Sequence, residues 1–308
     1  MEKLSLGNAL SGSSWVALPA PASLSPVLLE ETLLGGQAFR WFPTDAPTTW
    51  IGTWDSHAAA LRIRKTGTLE AAILSPGTCI EDLVQYLAFD RLDAWQDQLP
   101  WRSDAVLNAV RRRWQGISLL RQSPGEALLA FICSSNKQIL QIRKMMAALA
   151  EAYGAPIPGT PFRRLPGWDL LARADEAGLR QCALGYRARH VAGTAGFLAA
   201  RPGYLREVAS LETDAARRAL LELPGVGPKV ADCVLLFGFG RAECFPVDTW
   251  IERILVTAYP GLMGWSRAQL TTFGRIHFGP AAGLAQQWLF AEARHGQPAL
   301  PGGPKISV

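Results

Sequence analysis

The chain has 308 residues, 49% of them apolar and 19% charged. That composition excludes a disordered or fibrous protein and allows one large domain or two. The net charge of +5, supplied mostly by arginine, points to an anionic partner. Along the first hundred residues, apolar and polar side chains alternate between turn signals. "QAFRWFP" (37–43), "TWIGTWD" (49–55) and "AALRIRKTGTLEAAIL" (59–74) therefore predict strands, best joined as an antiparallel sheet. From about Ile80 the apolar spacing changes to three and four. "IEDLVQYLAFDRLDAWQDQL", "DAVLNAVRRRWQ", "SPGEALLAFICSSNKQILQIRKMMAALAEAYG" and "EVASLETDAARRALLEL" predict helices. Ser123, Pro124 and Glu126 form a helix start, with Ser123 as N-cap and Glu126 closing a capping box. The expected fold class is α+β. A β-rich N-terminal domain, residues 1–115, packs as an antiparallel sheet on a larger all-helical domain, residues 116–308.

Five cysteines, Cys79, Cys133, Cys182, Cys233 and Cys244, show no C-x-x-C spacing, and the four histidines lie far apart. This argues against a disulfide scaffold, a zinc site or an iron–sulfur cluster, and for a reducing compartment. No uninterrupted apolar run reaches membrane-spanning length. The N-terminal "MEKLSLGNALSGSSWVALPAPASLSP" lacks a basic-then-apolar signal pattern. The expectation is a soluble intracellular protein without membrane contact. "RRRW" (111–114) and "YRARH" (186–190) place cations beside aromatics. That mixture suits a nucleic-acid backbone and its bases, or simply a solvated helix face.

Residues 213–241 carry the strongest local signal. "TDAARRALLEL" starts at a cap, Thr213, and Pro224 stops it. Gly225 and Gly227 permit unusual backbone angles and leave room for a ligand. An apolar helix then begins near Pro228. Two helices joined by a Gly-x-Gly turn make a helix-hairpin-helix, whose exposed N–H groups suit a DNA phosphate. "GVGPKV" lacks the Gly-Lys-Ser/Thr of a P-loop. Lys229 falls in the first turn, where the helix dipole disfavours a charged amine, and Cys233 follows four residues later on the same face. On residues alone Lys229 is either a phosphate contact or a nucleophile. Asp248, in "CFPVDTWIERILV", is either an N-cap or a carboxylate held ready to stabilise a cationic sugar. Thr249 with Glu252 offers a competing capping box.

With these residues in view, the chain resembles the helix-hairpin-helix DNA glycosylases that carry a Gly/Pro-rich loop and an aspartate. Within them it is similar to the 8-oxoguanine DNA glycosylase/lyase branch. "LPGVGPKVADC" and "PVDTW" match the superfamily core. "GGQAFRW" (35–41), "FICSSNKQI" (131–139), "LGYRAR" (184–189) and "GPAAGLAQQWLF" (279–290) match the branch in order. The resemblance implies a bifunctional enzyme acting on duplex DNA containing 8-oxoguanine opposite cytosine. It further implies a monomer in the cytoplasm or nucleoid, or the nucleus, needing no redox cofactor or metal. A structural monovalent cation at the hairpin is compatible with it. By resemblance, Lys229 attacks the sugar C1′ and forms a Schiff base, and Asp248 supports the ionising sugar. Phe290 and Cys233 sandwich the flipped base, Gln286 reads its Watson–Crick edge, and Pro246 lines the pocket. Gly36 presents its carbonyl to the N7–H that 8-oxoguanine has and guanine lacks. Asn136 fills the vacated space, Tyr186 wedges the stack, and Arg187 reaches the orphaned cytosine. Gly225, Gly227 and Trp250 face the DNA backbone.

The chain departs from the branch at three places. Asn136-Lys137-Gln138 replaces an asparagine-rich run. Gln141 stands where an arginine reads the opposite cytosine, so that either cytosine preference falls or nearby Arg143 substitutes. Trp250 stands where histidine is frequent, and an indole N–H can still donate to phosphate. Three other functions share some of these features. An endonuclease III-like glycosylase would use the same lysine and aspartate, but the missing four-cysteine cluster and the β-rich half weigh against it. An alkylbase glycosylase would not need the lysine. A non-catalytic DNA-binding module would keep only the hairpin.

Overall fold

A computed structural model describes residues 13–295. The first twelve residues, part of the stretch read above for targeting, and residues 296–308 lie outside the described residues. The N-terminal half holds strand β1 (Val16–Ala17), helix α1 (Pro26–Leu34), and strands β2 (Trp41–Pro43), β3 (Thr49–Trp54), β4 (His57–Ile63) and β5 (Leu69–Ile73). The five strands form one antiparallel sheet in the order β1-β5-β4-β3-β2. The register Trp54↔His57 closes β3 and β4 over a two-residue turn, Asp55–Ser56. Helices follow: α2 (Ile80–Leu87), α3 (Leu92–Asp97), α4 (Ala105–Trp114), α5 (Pro124–Cys133), α6 (Ile139–Tyr153), α7 (Trp168–Leu171) and α8 (Glu176–Leu179). Then come α9 (Arg187–Ala200), α10 (Tyr204–Ser210), α11 (Thr213–Leu221), α12 (Pro228–Phe237), α13 (Thr249–Ala258), α14 (Arg267–Phe278) and α15 (Ala282–Arg294).

The α+β class is as expected, with four local differences. "QAFR" is not strand: only Trp41–Pro43 pairs with β3. The preceding loop is held from the helical side, where the buried Gln37 amide donates to the Ser118 carbonyl at 2.8 Å and accepts from Leu120 N–H at 3.0 Å. Helix α1 has no sequence-level expectation behind it, because its apolar residues follow no helical period; Leu28, Leu29, Leu33 and Leu34 are all buried, together with Glu31 and Thr32. Thr213 does not cap α11. Glu212 is the cap position, and Thr213, the first helical residue, donates its hydroxyl to Glu243. At α5 the box is half made. The Ser123 hydroxyl accepts the Glu126 N–H, but the Glu126 carboxylate turns towards Asp55 and Arg40.

One continuous core runs through sheet and helices. The boundary expected at 115/116 falls just past α4 inside that core, and α4 packs on the C-terminal α15. Among the described residues no helix is long and apolar enough to cross a membrane, and no cluster of His, Cys, Asp or Glu could hold a metal ion. The five cysteines are unpaired and all but Cys79 are buried.

Candidate active site

The hairpin between α11 and α12 is built by two glycines with different tasks. Gly225 has φ +81°, and a Cβ there would lie 2.5 Å from the His190 Cβ. A side chain at 225 is thus excluded twice, by backbone angle and by the neighbouring helix α9. Gly227 is extended, with φ −97° and ψ 179°, and is the cap position of α12; a Cβ there would meet open space. The Thr194 hydroxyl donates to the Pro224 carbonyl at 2.7 Å, and Val226 N–H donates to the Leu223 carbonyl at 3.1 Å. The turn is therefore fixed from inside while its outer face stays open to a phosphate.

Pro228 at the first position of α12 brings Lys229 into the first turn, half-buried. Its Nζ donates to Ser134 Oγ at 3.2 Å and lies 5.1 Å over the Phe131 ring. The Ser134 hydroxyl itself donates to the Phe131 carbonyl at 2.8 Å, so its oxygen is left to accept from the lysine. One turn along α12, Cys233 is buried. Burial pushes its thiol up to about 11, while hydrogen bonding and attraction from Lys229 pull the other way and Asp248 raises it further. The thiol is a neutral wall that feels both the amine and the carboxylate. Asp248 is the N-cap of α13: its Oδ1 accepts Trp250 N–H at 3.0 Å and Ile251 N–H at 2.9 Å. The competing box does not form, because Glu252 instead meets Arg267 at 2.8 Å. Cap and ready carboxylate are the same group, since capping by one oxygen fixes the orientation of the other. Pro246 lies in the buried segment that leads into Asp248.

A second group of residues faces a different stretch of chain. Gly36 joins α1 to β2 with φ +97°, and a Cβ on it would lie 3.1 Å from Ile139 Cδ1 and 3.4 Å from Phe290 Cε1. The Gly36 backbone, the first residue of α6 and the Phe290 ring on α15 thus converge. Gln286, one turn earlier on α15, is buried at 5% exposure. Gln287 Nε2 donates to its Oε1 at 2.7 Å, so the Gln286 amide nitrogen is the end left to donate elsewhere. The turn between α5 and α6 bridges the two groups: Ser134 touches Lys229, and Ile139 touches Gly36.

That same turn carries Asn136, exposed with φ +52°, a left-handed angle that asparagine tolerates well. Tyr186 is 43% exposed at the head of α9, after a wide turn with positive φ at Ala183 and Gly185. Arg187 differs from expectation. It is buried at 3% exposure; its Nε and Nη2 donate to the Ser135 carbonyl and its Nη1 to the Leu184 carbonyl at 3.3 Å. A buried guanidinium must be satisfied, and here backbone oxygens do so. In this structure Arg187 fixes the Asn136 turn to Tyr186, over whose ring it lies at 4.3 Å, rather than reaching outwards. Arg143 cannot take the place of an exposed arginine at 141. It is buried, donates to the Trp41 carbonyl and lies 4.9 Å over Phe42. Burial pushes its guanidinium down to about 10. The helical period of α6 turns residue 143 inwards and leaves Gln141 exposed near the cap, accepting Gln138 N–H at 3.3 Å. Trp250 is half-buried in the first turn of α13, with Arg253 6.0 Å from its ring.

Sequence reasoning missed Ser134, Phe131, Ile139 and Gln287 as supporting residues. The first three fall inside the "FICSSNKQI" segment, the only signal that pointed near them.

A lysine and an aspartate that both act on one buried cysteine at a helix-hairpin-helix, with a glycine backbone packed close to an aromatic ring, are the features of a DNA glycosylase of the lysine-bearing, strand-cleaving class. No protein-family model matches the chain. The chain is 33% identical to the N-glycosylase/DNA lyase OGG1 of Arabidopsis thaliana, over 88% of this chain and 79% of that protein. It is 30% identical to the N-glycosylase/DNA lyase of Saccharomyces cerevisiae, over 76% of this chain and 69% of the relative. Its fold matches the crystal structure of Clostridium acetobutylicum 8-oxoguanine glycosylase/lyase in complex with DNA containing cytosine opposite 8-oxoguanine. That match has a TM-score of 0.78 and 28% identity, covering 87% of this chain and 91% of the other. The chain belongs to the N-glycosylase/DNA lyase family.

Proposed function

We propose that the protein removes 8-oxoguanine from duplex DNA and then cleaves the strand, using Lys229 for both steps. The carrying observation is the convergence of Lys229, Cys233 and Asp248 behind the hairpin. The hairpin N–H groups grip phosphate, and the damaged nucleotide leaves the stack because its glycosidic bond is unreachable inside it. The Lys229 nitrogen bonds to C1′ as the C1′–N9 bond breaks, and the base departs with the bonding electrons and takes up a proton. Asp248 stabilises the positive charge that spreads over the sugar as that bond opens. The ring then opens to an imine between Lys229 and C1′. Loss of a C2′ proton expels the 3′ phosphate by β-elimination, and water releases the enzyme. Gly36, Gln286, Phe290 and Cys233 supply recognition. The Gly36 carbonyl accepts from N7–H of the lesion and repels the N7 lone pair of guanine, a difference of a few kcal/mol.

Asn136 and Tyr186 occupy the gap and the stack, while Trp250 and Gly227 contact the backbone. Cytosine is the proposed opposite base. Its advantage is reduced, because Gln141 carries no charge and Arg143 is turned inwards. The hairpin carbonyls of Leu223 and Pro224 each accept one internal hydrogen bond and keep a second lone pair. A structural monovalent cation at the hairpin, taking no part in the chemistry, belongs to the same proposal. The protein works as a monomer wherever the cell keeps its DNA. An activity panel tests the reading: duplexes with 8-oxoguanine, thymine glycol or uracil, each opposite all four bases. Cleavage restricted to 8-oxoguanine, with a shallow preference for cytosine, supports it. Preference for thymine glycol would move the protein to the oxidised-pyrimidine enzymes.

A further inference from the structure

The Gly36 loop and the Phe290 end of α15, the walls of the proposed slot, are tied together by a half-buried ion pair that touches no part of the catalytic group. Glu31 on α1 is 7% exposed. Its Oε1 accepts Arg294 Nη1 at 2.6 Å, and His295 Nε2 lies 3.0 Å from its Oε2. The carboxylate lies directly beneath the loop that carries Gly36: Gly35 N–H donates to the Glu31 carbonyl at 2.8 Å, and a Cβ on Gly35 would sit 2.5 Å from Glu31 Oε1. At the other end of the pair, the Arg294 guanidinium is 5.9 Å from the Phe290 ring, one turn back on α15. From the opposite side α4 holds the same helix end. Trp114 packs on His295 at 4.9 Å and donates its indole N–H to Glu292 at 2.8 Å. One carboxylate therefore contacts the glycine loop while its partner contacts the aromatic wall.

We propose that Glu31 and Arg294 are positioning residues that set the spacing between the Gly36 backbone and the Phe290 ring, and so set how selectively the slot accepts an oxidised purine. The proposal rests on the substrate reading above, with Gly36 and Phe290 as walls. Neither charge touches the base. Their effect passes through the α1–β2 loop and the last turns of α15, and a slot loosened by a fraction of an ångström loses aligned contacts steeply.

The test compares two reactions on the same preparations. One is single-turnover excision of 8-oxoguanine, which needs the slot. The other is strand cleavage at a preformed abasic site, which needs Lys229 but no base. Glu31→Gln is expected to slow excision roughly ten- to hundredfold and to change abasic cleavage by less than about twofold. Arg294→Lys, which keeps the charge, is expected to retain most of the excision rate. If Glu31→Gln does not fold, Arg294→Gln at the more exposed partner repeats the comparison. Parallel losses in both reactions, or no loss in either, would overturn the proposal. A wild-type protein that cleaves abasic DNA yet leaves 8-oxoguanine in place would instead overturn the substrate reading, and the proposal with it.

Discussion

Asp248 illustrates how one position can serve a structural role that the structure shows and the chemical role proposed above. Two N–H groups of α13 bind a single carboxylate oxygen, and that arrangement fixes the orientation of the group. The sequence could place such a residue at a helix start but could not tell cap from catalyst, because both demand the same position. Lys229 was legible as an unusual placement, a lysine in the first turn after Gly-x-Gly-Pro, with phosphate contact and nucleophile both left open. Ser134 was not, since a serine ending a helix has many uses and its partner lies 95 positions away. Arg187 was legible as a cation beside an aromatic, yet its direction was not, because burial and the Ser135 carbonyl decide it. Gln286 yields a residue-scale prediction. With its oxygen engaged by Gln287, the amide nitrogen is committed as a donor. Gln286→Ala should weaken binding to 8-oxoguanine duplex by about tenfold, roughly 1–2 kcal/mol, and leave binding to undamaged duplex nearly unchanged. Equilibrium titrations of both duplexes check this; equal losses would remove Gln286 from base reading.

Helices were the readable elements: three- and four-residue spacing survives in α6 and α11, which bury one face, while α12 was read from its apolar run after the hairpin. Helix α1 escaped because its nine residues, with Glu30, Glu31 and Thr32 together in the middle, follow no helical period. Its start, Ser25 followed by Pro26, uses the same cap grammar as Ser123-Pro124 and was the available signal. The strand expected over "QAFR" failed because the alternation there serves a loop pinned by Gln37 to the segment after α4. At the hairpin the demand on Gly225 is strict. Gly225→Ala must place a Cβ against His190 at φ +81°, so it should destabilise the protein by about 2–4 kcal/mol and weaken DNA binding of the folded fraction. Denaturant unfolding and binding titrations measure the two effects. An alanine variant with unchanged stability would mean that α9 yields easily and that the turn is less constrained than its geometry requires.

Across the whole molecule, sheet and helices share one core, and a polar junction joins them near the slot. Arg40, buried in the loop after Gly36, donates to Thr53 Oγ1 at 3.0 Å and to the Arg163 carbonyl, and its Nη1 has no hydrogen-bond partner. Glu126 at the start of α5 faces it. Burial, helped by nearby Asp55, pushes the Glu126 carboxyl up to about 7, although Arg40 pulls it down. A carboxyl raised in the folded state makes the native protein bind more protons than the unfolded chain between the ordinary value of 4.5 and about 7. Its contribution to stability is therefore complete below that window and lost as pH rises through it. Glu126→Gln should match the wild type near pH 5 and melt a few degrees higher near pH 8, a gain of at most about 3 kcal/mol. Melting curves at the two pH values check the sign; a variant less stable at the higher pH would show that the attraction from Arg40 dominates. The account's central claim is that the Lys229 nitrogen bonds covalently to the sugar. Borohydride reduction during turnover on 8-oxoguanine duplex measures this directly, because it freezes an imine as a stable adduct. The wild type should yield a cross-linked protein–DNA species, and Lys229→Gln should yield none while still binding the lesion duplex. An adduct that persists in Lys229→Gln, or a wild type that excises the base without ever being trapped, would contradict the account.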